Sequence, residues 1–103
     1  MTRTFRRHPR VVVRDEGEGA IALHLDTQQY FELNGSARTV WEALDDGTTS
    51  ADLVEHLVRT YDIDHDTALE VVEELLAQLV REQMVEIQGE RRRDRLRRRI
   101  LGH

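Results

Sequence analysis

The chain has no cysteine, no lysine, one proline, and only five aromatic residues of the Phe, Tyr and Trp type in 103 positions. Without cysteine there can be no disulfide, no thiolate metal ligand and no Cys nucleophile. Without lysine, all 15 basic residues are Arg, a bias that genome composition explains as readily as selection for bidentate contacts. No apolar run approaches the ~20 residues that span a bilayer, and the basic N-terminus is followed by no signal-type apolar core. A cytoplasmic location with no membrane partner is expected. No nucleophile elbow, phosphate loop or paired-carboxylate motif occurs, so catalysis has no candidate residues and no enzyme activity is expected.

Charge is segregated along the chain. Residues 1–14 hold five Arg and no acid, residues 15–90 hold 19 acids against three Arg, and residues 91–103 hold seven Arg and one Asp. This is an acidic body with two basic ends. A body of about 80 residues buries only ~60–65% of its unfolded surface, which leaves little room for a deep active site.

What is present is a sequence of alternating and helical patterns. Val11 to Arg14 is a β-branched run before the turn Asp15-Glu16-Gly17-Glu18-Gly19, and Ala20 to Leu25 returns from it as a hairpin. Ile21, Leu23 and Leu25 share one face, expected to cover the helices, with His24 facing away. Tyr30 to Leu33 makes a third antiparallel strand. Ala37, Val40, Trp41 and Leu44 then follow helical spacing, with Asn34 or Ser36 as N-cap and Gly47 as terminator. Trp41 lies on the apolar stripe and is expected in the core. Thr49, with Asp52 at N3, can cap a second helix whose buried face is Leu53, Leu57, Val58 and Tyr61. Asp64 can cap a third, running from about His65 to Arg81, with Ile63 and Ala68 spaced as a hydrophobic staple. Met84 to Ile87 alternates once more, as a short strand or wing.

The third helix carries an unusually wide apolar arc. Ala68, Val72, Leu75 and Leu79 form a central stripe, Leu69, Leu76 and Val80 flank it on one side and Val71 on the other, giving about 180° where a surface helix needs about 100°. Either neighbouring elements of the fold cover both sides, or the Leu69, Leu76, Val80 flank is one wall of a groove for a partner. Tyr30 and Phe31, adjacent on a strand, point to opposite faces, so one of them leaves the face that covers the core.

Other constellations read as structural. Asp62, Asp64, Asp66 and Glu73 match four positions of a calcium-loop template, but Thr67 stands where that template needs its turn Gly. The same acids suit a helix N-terminus, and no metal site is expected. The five His, at positions 8, 24, 56, 65 and 103, include no pair spaced for a metal or a catalytic dyad, and surface or capping roles are expected for them.

The order strand, Tyr-Phe-x-Leu-Asn at 30–34, Ala-x-x-Val-Trp-x-x-Leu at 37–44, then Asp-Gly, resembles the PqqD-like family of small winged-helix-like peptide binders, the RiPP recognition elements. The resemblance covers roughly residues 10 to 88 and continues through Thr49, Leu53, Leu57, Tyr61-Asp62-Ile63-Asp64 and the apolar helix from Ala68 to Val80. It implies an α+β, winged-helix-like fold, a three-stranded antiparallel sheet followed by three helices, over residues 10–88, between a basic N-terminal arm at 1–9 and an Arg-rich tail at 89–103. Where the family usually has a turn Gly before the Tyr strand, this chain has Gln28, which makes a two-residue hairpin less secure and leaves open a longer type I turn around Asp26-Thr27. The implied function is capture of the leader segment of a ribosomally made precursor peptide and its presentation to a separate modifying enzyme, a protease, cyclase or radical enzyme. Operons for lasso peptides and for quinone cofactors both fit. The implied mode is addition of an extended leader to the strand at Tyr30, Phe31, Glu32 and Leu33, against Leu69, Val72, Glu73, Leu76 and Val80 of the third helix, with no cofactor. The rival is a winged-helix transcription factor, but residues 65–82 carry Asp66, Glu70, Glu73, Glu74 and Glu82 against Arg81, a poor match to phosphates, and no specific nucleic-acid partner is expected.

Overall fold

A computed structural model of the chain describes residues 3–90. The bulk of the Arg-rich tail, from residue 91 onward, lies outside the described residues. Among the described residues, five strands and three helices follow in the order β1 (Arg3–Arg7), β2 (Val11–Glu16), β3 (Gly19–His24), β4 (Tyr30–Leu33), α1 (Ser36–Ala43), α2 (Ser50–Tyr61), α3 (His65–Arg81) and β5 (Val85–Glu90). The α+β class holds, with the antiparallel sheet β2-β3-β4 preceding three helices. A second, two-stranded sheet pairs β1 with β5 across nearly the whole chain. The stretch expected as a basic arm therefore contains a strand, and Phe5 within it is buried. Alternation of Thr4, Phe5 and Arg6 is too short to announce a strand, and its partner lies 80 residues away, beyond the reach of any local pattern.

The helix boundaries follow the expected chemistry at two of three starts. Thr49 accepts a hydrogen bond from the Asp52 amide at 3.1 Å while the Asp52 carboxylate accepts from the Thr49 amide at 3.1 Å, a complete capping box. Asp64 caps α3 by accepting from the Thr67 amide and hydroxyl. At α1 neither Asn34 nor Ser36 serves. Gly35 is the N-cap, with φ of 53° and no side-chain bond, because the tight exit from β4 needs a left-handed residue there. The helix ends at Ala43, and Gly47, at φ 85°, turns the following loop.

The core is built from Phe5, Leu33, Trp41, Leu53, Leu57, Val72, Leu79 and Met84 and their neighbours. Trp41 is buried, as its place on the α1 stripe requires. The wide arc of α3 is covered from several sides, by α2, β5 and α1. Leu75 and Leu76 are both buried and Val71, Leu69 and Val80 are half-buried.

The hairpin faces the other way round from its hydrophobic pattern. Ala20, Ala22 and His24 are buried, while Leu23 is 37% exposed and Leu25 is exposed. Register supplies the reason. Ala20 pairs with Leu33 and Ala22 with Phe31, so small residues on β3 stand beside large ones on β4, and α1 fits against that face without overpacking. A Cβ on Gly19 would already sit 3.1 Å from the Leu33 carbonyl oxygen.

Candidate functional site

Among the described residues β4 has one neighbouring strand. In the order β2-β3-β4 its far side is an open edge among the described residues, and α1 is the helix that packs on it. In an antiparallel pair, residues alternate between those that exchange backbone hydrogen bonds with the partner and those that do not. The His24 amide donates to the Gln29 carbonyl at 2.9 Å and the Gln28 amide donates to the His24 carbonyl at 2.8 Å. Counting back by twos, Ala22 and Ala20 also bond toward β4, to Phe31 and Leu33. Leu23 and Ile21 turn their main chain toward β2, in phase with the 2.8 Å bond from the Leu25 amide to the Arg10 carbonyl. Tyr30 and Glu32, opposite Leu23 and Ile21, thus direct their N–H and C=O groups to the open edge.

The side chains of those two residues lie on the outer face of the sheet. Tyr30 is 66% exposed and continues a row with Leu23 and Val12, which pair in register across β3 and β2. Exposed apolar residues on three adjacent strands form a patch of the kind that marks an interaction surface. Glu32 is exposed and stands in the next row, beside Ile21 and Arg14. Arg14 is engaged with Glu16 at 3.1 Å, and Glu32 has no ion pair among the described residues. Phe31, half-buried, and Leu33, fully buried, point inward.

On α3 the expected residues separate. Val72 and Leu76 are core. Glu73, Leu76 and Val80 line a cleft of about 700 Å³ against Arg3, Phe5 and Ile87 of the β1-β5 ribbon. A second hollow of about 670 Å³ continues past Val80 and Ile87 to Arg6, His8 and Glu86. Leu69 is half-buried against the core. The helix flank thus faces the β1-β5 ribbon, of which the sequence pattern announces only the stretch Met84 to Ile87, as a short strand or wing, and not β1 or its pairing. The acids Asp66, Glu70, Glu73 and Glu74 are all exposed on α3.

Sequence reasoning also missed His24. Its ring is 2% exposed, and Nδ1 accepts from the Asp26 and Thr27 amides at 3.1 and 3.3 Å, closing the turn that launches β4. A polar residue inside an Ala-Ile-Ala-Leu alternation, immediately before a turn, is the signal that could have found it. No group of His, Asp and Glu among the described residues is arranged to hold a metal, and none of the described helices is long and apolar enough to cross a membrane.

The family model described as coenzyme PQQ synthesis protein D (PqqD) matches residues 19–85, from β3 to the start of β5. Among solved structures, TbiB1 in complex with the TbiA(beta) leader peptide superposes with a TM-score of 0.70 at 22% identity, over 82% of this chain and 96% of that one. Lasso peptide synthetase B1 complexed with the leader peptide gives 0.70 at 25% identity, over 81% and 98%. The first is a likeness of fold. No curated protein matches the chain. The winged-helix DNA-binding alternative finds no support in these likenesses.

Proposed function

The chain belongs to the PqqD family, and from that membership we propose that it binds the leader segment of a ribosomally made precursor peptide and presents it to a separate modifying enzyme. The observation that carries this reading is the open edge of β4, whose Tyr30 and Glu32 main-chain groups point to solvent beside an exposed apolar row. An extended peptide that pairs with those groups becomes a fourth strand, and its alternate side chains meet the outer and inner faces. Unpaired edge groups favour such an addition, because they lose nothing but water when a strand arrives. Lasso peptide synthetase B1, similar in fold over most of both chains, is itself complexed with a leader peptide.

Binding supplies the function without chemistry of its own. On α3 the accessible residues of the expected wall are Leu69, Glu73 and Val80, and contact of the leader with that flank is part of the same proposal. Main-chain pairing holds any extended segment, and side-chain contacts select the sequence. The modifying enzyme, whether protease, cyclase or radical enzyme, acts on the portion of the precursor that leaves the sheet.

The test is titration of the isotopically labelled full chain with a synthetic leader from a precursor gene neighbouring its own, followed by amide hydrogen exchange. Protection of the Tyr30 and Glu32 amides on binding is the expected result. Binding that leaves both amides exchanging as in the free protein would place the peptide elsewhere.

A further inference from the structure

The carboxylate of Glu32, which has no ion pair among the described residues, and the exposed ring of Tyr30 stand two residues apart on one strand and on one face, with their main chains at the open edge. Resting on the strand-addition reading above, we infer that these two side chains select the peptide: the preferred ligand carries Lys or Arg opposite Glu32 and, two residues later, an aromatic or branched apolar residue opposite Tyr30.

The geometry follows from the register. Tyr30 and Glu32 are the positions that bond outward, so an antiparallel partner exchanges both backbone hydrogen bonds with each of them, and the residues directly opposite share their face of the sheet. Antiparallel addition matches the orientation of both existing pairs in this sheet and is slightly the more stable per residue. It also fixes the order of the peptide, because its numbering runs against that of β4. The residue opposite Glu32 comes first and the residue opposite Tyr30 second, with one inward-pointing residue between them, opposite Phe31.

Chemistry then assigns each position. The Tyr30 ring extends the Leu23 and Val12 row, so an apolar residue opposite it adds a fourth member and covers area that water now touches. Directly opposed charges of opposite sign stabilise a strand pair and like charges destabilise it. Beside Glu32 the nearest cation in its row is Arg14, already engaged with Glu16, and the body around it is strongly acidic. A basic residue therefore has both a local partner and a favourable field, and an acidic residue has neither.

The experiment uses a displayed library of short random peptides, selected in parallel on the full chain, on Glu32→Lys and on Glu32→Gln, with thermal melts to confirm that all three fold. The full chain should enrich Lys or Arg followed two residues later by an aromatic or branched apolar residue. Glu32→Lys should enrich Asp or Glu at the first position with the apolar residue kept, and Glu32→Gln should show no charge preference there. Peptides chosen by the full chain should bind Glu32→Lys about tenfold more weakly. Amide exchange at Tyr30 and Glu32 reports strand addition independently of the side chains. Enriched peptides that protect both amides yet show the same charge preference on all three proteins would overturn the assignment of Glu32 while leaving strand addition intact. If no pool protects those amides, strand addition falls and the assignment with it.

Discussion

The rings of His8 and His24 lie 4.5 Å apart between centroids, tilted by 51°, and join the end of β1 to the end of β3. Each is fixed by its backbone. His8 Nδ1 accepts from the Arg10 amide at 3.0 Å, and His24 Nδ1 accepts from two amides of the β3–β4 turn. With Nδ1 as acceptor, the ring proton of His24 sits on Nε2, which is buried and has no partner among the described residues. Replacing His24 by Leu keeps the bulk but strands the Asp26 and Thr27 amides, and should cost about 1–3 kcal/mol in urea unfolding. His24→Asn should recover part of that loss, because its side-chain oxygen can accept from an amide two residues on. Equal stability of His24→Leu and the parent would show that the turn does not depend on the ring.

Gln28 occupies the left-handed region at φ 65°, in the place where a turn glycine carries no steric cost. The connection is the longer turn through Asp26-Thr27 that the missing glycine left open, spanning 25–29 between β3 and β4, and Gln28 within it takes the left-handed geometry at the strain of a Cβ. Gln28→Gly should raise unfolding free energy by about 0.5–1 kcal/mol, offset in part by the greater entropy of the unfolded chain. Thermal melting would read this as a rise of a few degrees. A fall would mean that the Gln28 side chain contributes more than its backbone costs.

On α3 the partition between core and surface can be tested residue by residue. Leu76 is 5% exposed, so Leu76→Glu buries an unpaired charge and should unfold the domain as Val72→Glu does. Val80, half-buried at the mouth of the cleft, can turn a carboxylate toward water. Val80→Glu should melt within a few degrees of the parent and bind a leader severalfold more weakly. Circular dichroism melts of the three variants decide the first point, and calorimetric titration of Val80→Glu decides the second.

Asp64 is held below its ordinary value of 3.8 by the hydrogen bond from the Thr67 hydroxyl, helped by backbone amides at the start of α3. A carboxyl depressed in the folded state contributes stability above its unfolded value and loses that contribution as pH falls through the folded one. Asp64→Asn keeps the cap but removes the titration. Its unfolding free energy should therefore fall less steeply than that of the parent between neutral pH and the acid range. Parallel acid slopes would show that the Asp64 charge contributes nothing.

The helices, their order and two of their caps were legible because each is written within one or two turns of chain. Thr49 and Asp52 sit three residues apart and can reach only each other's backbone, and the stripe Ala68, Val72, Leu75, Leu79 marks the buried side of α3 wherever α3 packs. The ordered series that begins at Tyr30 to Gly47 carried the resemblance to the family, which the match over residues 19–85 then showed, and it marked the strand that carries the proposed site. Two things lay beyond it. Period-two alternation says that Ile21 and Ala22 face opposite ways but not which way is in, and the hydrophobic choice was wrong because the space beside Phe31 and Leu33 admits only small residues. The pairing of Arg3–Arg7 with Val85–Glu90 joins the two ends of the domain, and that pairing decides what the flank of α3 faces. Sequence determined the elements through local bonding and periodicity; the tertiary structure decided which faces are covered, because covering depends on volumes and partners that no window of sequence contains.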